Sequence, residues 1–112
     1  MLKRDSRVPK KLFPFLRKNV LHEGEFFSIR VTFGVPGAES PKCICIVSKK
    51  IAKQAVKRNK IKRQVYSIIY PRLRNANKNS VLQIFPKTNS LDYDFQNLKI
   101  DLENIIQKNN LL

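Results

Sequence analysis

Tryptophan is absent from these 112 residues, histidine and methionine occur once each, and between Ser40 and Leu91 there is no aspartate or glutamate. A protein that cut phosphodiester bonds with its own side chains would hold metal ions on clustered carboxylates, or use a histidine as acid or base. The acid-free middle and the lone His22, placed in an expected loop beside Glu23, argue against such an enzyme. Glycine is scarce too: three residues, all at expected turns, leave no glycine-rich phosphate loop. No run of about 18 apolar residues exists to span a membrane, and no cleavable apolar segment opens the chain. Cys43 and Cys45 are two apart, so on a strand they share a face and do not bond to each other. They read as small buried hydrophobes without metal partners. With no disulfide framework, a reducing cytoplasm is the expected compartment.

What the chain has in excess is positive charge: 23 Lys plus Arg against 8 Asp plus Glu, a formal net charge of +15. The excess is concentrated. From Ser48 to Arg63 the chain reads Ser-Lys-Lys-Ile-Ala-Lys-Gln-Ala-Val-Lys-Arg-Asn-Lys-Ile-Lys-Arg, with eight cations and no acid. A disordered basic tail would not need Ile51, Ala52, Ala55, Val56 and Ile61, so a folded cationic surface is expected. Asp92, Asp94, Asp101 and Glu103 outnumber Lys99 and Lys108 in the closing stretch, so the positive field belongs to the N-terminal arm and the middle. Such a field suits a polyanion, with nucleic acid ahead of a membrane surface.

The length and the 42% hydrophobic content suit one domain, residues 1–112, with residues 1–8 as a basic arm. A short helix is expected around Pro9 to Asn19. Glu25 to Phe33 alternates, with Phe27, Ile29, Val31 and Phe33 on one face of a half-buried strand. Gly34 to Pro41 is a loop, and Lys42 to Ser48 a second strand buried on both faces at its centre. From Lys53 to Tyr70 the pattern is helical, with Ile61, Val65, Ile68, Ile69 and Leu73 as one stripe, and Pro71 ends or kinks it. After a loop at Asn75 to Asn79, Val81 to Phe85 is a third strand, and Pro86 to Ser90 a turn. Asp92 or Asp94 then caps a last helix to about Lys108, burying Phe95, Leu98, Leu102, Ile105 and Ile106. The order helix, strand, strand, helix, strand, helix makes a small α+β sandwich.

On a helical wheel Lys53, Lys60 and Arg63 lie away from the apolar stripe, with Lys57 at its edge, on a face able to meet phosphates. Arg58 and Lys62 fall within the apolar arc. Either the first half of the helix projects beyond the sheet and opens its inner face to a ligand, the reading preferred here, or long stems snorkel to water. Asn59 can orient a neighbour or read a sugar or base edge. In the arm, Phe13 and Phe15 alternate with Lys10, Lys11, Arg17 and Lys18, a pattern that can stack unpaired bases while cations hold the strand; core packing is the commoner fate.

The segment Ser48 to Arg63 resembles the signature of the protein component of bacterial ribonuclease P: Lys49-Lys50, Ala55-Val56, Arg58-Asn59-Lys60 and Lys62-Arg63 match its spacing. The outline agrees over nearly the whole chain. The resemblance implies a fold like domain 2 of ribosomal protein S5, with a left-handed crossover where sequence rules alone favour the right-handed one. It implies a basic subunit that binds a large catalytic RNA and helps it remove the 5′ leader of precursor tRNA, the RNA and its magnesium ions (Mg2+) doing the cutting. No protein oligomer is required. Carried over, Lys49, Lys50, Lys53, Lys57, Arg58, Asn59, Lys60, Lys62 and Arg63 would face the RNA subunit. Phe13, Phe15, Arg17 and Lys10 would face the leader, in a cleft between the sheet and the N-terminal helix. Two positions depart from the family's pattern. Tyr66 stands where an arginine is common, and Lys60 replaces an arginine, keeping charge but losing the planar fork. The competing reading is a ribosomal-type structural RNA-binding protein. A stand-alone nuclease and a DNA-binding regulator fit less well.

Overall fold

The computed structural model describes residues 19–34, 42–73, 80–87 and 94–109. Along them run β1 (Val20–Glu23), β2 (Phe27–Phe33), β3 (Lys42–Cys45), α1 (Ala55–Leu73), β4 (Ser80–Pro86) and α2 (Phe95–Lys108). The strands form one mixed sheet in the order β1-β2-β4-β3. β2 pairs antiparallel with β1 and β4, whereas β3 runs parallel to β4. Parallel neighbours need a crossover, and α1 is the element that makes it.

Alternation decides which side of the sheet is covered. In register, Ile29 faces Ile84 and Val31 faces Leu82, while Cys43 and Cys45 lie beside Leu82 and Ile84. These side chains join Phe27 and the stripes of both helices in one core: Ile61, Val65, Ile68, Ile69 and Leu73 from α1, and Leu98, Leu102, Ile105 and Ile106 from α2. Both helices therefore cover the same face, giving the expected α+β arrangement of two layers. The two cysteines are buried and unbonded. Asp94 caps α2, its carboxylate accepting from the Asn97 amide at 2.9 Å.

One carboxylate joins the β1–β2 turn to α2. Asp101 accepts from the amides of Glu25 and Phe26, each at 2.9 Å, and of Phe27 at 3.1 Å. Gly24 allows this approach, since a Cβ there would lie 2.6 Å from both Asp101 Oδ1 and Ile105 Cδ1. Lys87 Nζ closes the same corner by donating to the Gly24 carbonyl at 2.8 Å.

The structure departs from the sequence reading in several places. His22 lies in β1 rather than in a loop, and the sheet has four strands, not three. α1 continues through Pro71 to Leu73; Pro71 is exposed in the last turn, where one missing amide bond does not end the helix. Phe95 is exposed at the first helical position of α2, and Phe33 is 52% exposed at the end of β2. Thr32 is buried, opposite Val81, on the sheet face away from the helices, although the half-buried alternation of β2 predicts that face open. β3 ends at Cys45, although Ile46 still donates to the Ile84 carbonyl at 2.9 Å. The arm, the expected first helix and the loop at Asn75 to Asn79 lie outside the described residues, as does Asp92.

Candidate nucleic-acid interface

The basic run forms two consecutive pieces, a tight connector and the first half of α1. In the connector the Ser48 carbonyl accepts from the amides of Ile51 and Ala52, at 3.1 and 3.2 Å. Ala52 is buried and Ile51 packs on the core, so apolar contacts fix the connector from below. Lys49 and Lys50 are left exposed at its tip, and Lys53 is exposed at its end. In α1, Lys57, Asn59, Lys60 and Arg63 are exposed, and Arg58 and Lys62 half-buried. Spacings of three residues put Lys57, Lys60 and Arg63 along one side of α1, with Lys53 ahead of them in the connector. Val56, 76% exposed, lies among them.

Among the described residues almost nothing neutralises this surface. The first turn of α1 has no acid, and its unpaired amides add the positive end of the helix dipole. Among the described residues the ion pairs are Arg72 with Glu103 at 2.7 Å and Lys99 with Glu103 at 3.9 Å, neither involving the basic run. Among the described residues the acids lie on β1, the turn after it, and α2 with its cap. Eight like charges held this close repel one another unless a polyanion lies across them.

The inward positions have specific partners. One terminal nitrogen of Arg58 donates to the carbonyls of Ala52 at 2.9 Å and Lys53 at 2.8 Å. The inner side of α1 is thus met by connector backbone at Arg58, where an open face was preferred from the sequence. Tyr66 turns its hydroxyl to accept from the Cys45 amide at 3.1 Å. Ile46 donates to β4, so the Cys45 amide points off the outer edge of β3, and Tyr66 covers it. Burial pushes the Cys43 thiol well up and that of Cys45 up to about 12, with Lys62 pulling the latter partly back. Both thiols are protonated at neutral pH and poor nucleophiles.

A second surface went unnoticed in the sequence. On the sheet face opposite the helices, Arg30 lies over the Phe85 ring, 5.9 Å from its centroid, and donates to Asn19 Oδ1 at 3.2 Å. Gln83 pairs with Arg30 in register beside Ile44. The signal was present: alternation places Arg30 opposite the Phe27–Ile29–Val31 face, and Phe85 opposite Leu82 and Ile84. Phe13, Phe15, Arg17 and Lys10 lie outside the described residues. Among the described residues, no three His, Cys, Asp or Glu side chains gather into a metal site. No described helix is long and apolar enough to cross a membrane.

Fold and surface together define a small basic α+β domain that presents a cationic helix beside a mixed sheet. The family model for Ribonuclease P matches residues 10–110, and the chain belongs to that family. A curated relative, the Ribonuclease P protein component of Synechococcus sp. (strain JA-2-3B'a(2-13)), is 33% identical over 67 residues, 60% of this chain. The matched region spans about half the length of that relative, 50%. The fold is similar to the RNase P protein of Staphylococcus aureus, with TM-score 0.81 and 18% identity over 95% of this chain and 96% of that one. It is also similar to the RNase P protein of Thermotoga maritima, with TM-score 0.76 and 19% identity over 91% and 96% of the two chains.

Proposed function

We propose that this chain is a ribonuclease P protein subunit that binds the catalytic RNA and the 5′ leader of precursor tRNA, assisting endonucleolytic removal of the leader. The observation that carries this reading is the acid-free cationic surface of the connector and α1, which makes no ion pair among the described residues. Lys49, Lys50, Lys53, Lys57, Lys60, Lys62 and Arg63 would neutralise phosphates of the RNA subunit and release its counterions, with Asn59 as a polar contact and Arg58 in the same surface.

Arg30 and Phe85 on the opposite sheet face support a place for the leader, a cation held over a ring beside a polar row suiting a single strand. Lys10, Phe13, Phe15 and Arg17 are proposed to complete that cleft from the arm. Magnesium ions keep much of their water and are held largely through phosphate oxygens, which an RNA partner has in abundance and the acid-free run from Ser48 to Arg63 does not. On this reading the RNA partner would bind the magnesium ions.

The test is to add the purified chain to a ribonuclease P RNA at low magnesium and follow leader removal from precursor tRNA. Faster cleavage or a lower magnesium requirement supports the reading. Unchanged cleavage with intact RNA binding favours the structural RNA-binding protein, and cleavage without the RNA favours a stand-alone nuclease.

A further inference from the structure

Carbonyl oxygens are the wrong dipole to show to a phosphate, and the connector before α1 carries two of them where the positive charge is densest. Neither Ala52 nor Lys53 lies inside the helix, whose first bond of this kind runs from the Arg58 amide to the Gln54 carbonyl at 3.2 Å. Left alone, both carbonyls would need water, or would repel the anion that the neighbouring lysines attract. Arg58 meets them together: both hydrogens of one terminal nitrogen are engaged, at 2.9 and 2.8 Å, by a half-buried side chain one turn into the helix. The same residue thereby fixes the backbone that carries Lys53, continuous with the Ser48–Ala52 turn that carries Lys49 and Lys50.

We propose that Arg58 is a positioning residue of the RNA interface: its guanidinium braces the Ala52 and Lys53 carbonyls and so aims the connector lysines Lys49, Lys50 and Lys53 at the polyanion. This rests on the ribonuclease P reading and deepens it, since Arg58 then contributes to RNA affinity through the connector and not through its own phosphate contact. A lysine carries the same charge but lacks the rigid planar fork, which makes Arg58→Lys informative.

The experiment is a double-mutant cycle on binding of the full chain to a ribonuclease P RNA, at low salt so that weakened variants remain measurable. Arg58→Gln is introduced alone, into a Lys49→Gln/Lys50→Gln/Lys53→Gln background, and with Arg63→Gln. The expected result is a loss of about tenfold or more alone and with Arg63→Gln, shrinking to within about twofold once the connector lysines are neutral. In the unbound chain, exchange of the Ile51 and Ala52 amides should quicken by about tenfold, with the Ile84 amide unchanged. Arg58→Lys, which also serves if the glutamine variant does not fold, should fall between in both readouts. Equal losses in every background, or an Arg58→Lys chain matching the unaltered one in affinity and exchange, overturns the role given to Arg58. An unaltered chain that binds no ribonuclease P RNA overturns the functional reading itself, and this role with it.

Discussion

Asp101 and the cations of α1 are both charged groups on helices, yet they are treated in opposite ways. The carboxylate is drawn into the fold, accepting three backbone amides at a corner that only glycine at position 24 allows. Lys57, Lys60 and Arg63 are exposed and form no ion pair among the described residues. A charge answered by its own chain contributes to stability, whereas one left unanswered on a like-charged surface costs some stability and gains its value from a partner.

The contrast is sharpest at Asp101. Replacing it by alanine strands three amides, and the expected loss is about 3 kcal/mol of unfolding free energy, read by urea denaturation. Gly24→Ala should destabilise through the same corner, by about 1–3 kcal/mol, and the two losses should not add. Neither change should alter the salt dependence of RNA binding by the folded fraction. A change in that slope would break the division between the two regions.

On the cationic side the effects should be reversed. Lys60→Glu is expected to leave the denaturation midpoint nearly unmoved, weaken RNA binding by about tenfold or more, and flatten the salt dependence by about one unit of log–log slope. Lys108→Glu, which changes net charge equally from the end of α2, should have little effect on that binding. Equal losses would mean that total charge counts and its placement does not.

An effect absent at neutral pH, and seen only in alkali, should come from the buried thiols. Because burial raises both above 9.0, the Cys45 value to about 12, the folded chain holds these protons while the unfolded chain releases them. Their contribution is complete below about pH 9 and is lost as pH climbs toward 12, at up to about 1.4 kcal/mol per pH unit for each thiol. Denaturation midpoints that fall across that range, together with slow alkylation until urea is added, would bear this out.

The legible parts of this molecule are those whose burial follows a period. The five-residue stripe of α1, the Phe27–Ile29–Val31 face and the Leu98–Leu102–Ile105 run could all be read from spacing, because each packs against a core wide enough to need it. β1 could not: Val20 and Leu21 are exposed, and the strand owes its existence to pairing with β2 across a turn. Nor could the termini of long elements, where Phe33 and Phe95 keep the pattern but run past the core. At the interface, exposure of Lys53, Lys60 and Arg63 followed from the wheel, while the inward turn of Arg58 depended on backbone that the wheel does not represent. Arg30 and Phe85 come from separate strands, and only the sheet register brings them together.

Tyr66 has one further consequence. An outward amide on a border strand invites a foreign extended peptide to zip alongside, the first step toward clumping in a crowded cell. By capping the Cys45 amide, the phenol removes that foothold from the rim of β3 beside the cationic helix, so at this point the sheet does not recruit a second copy of its own kind.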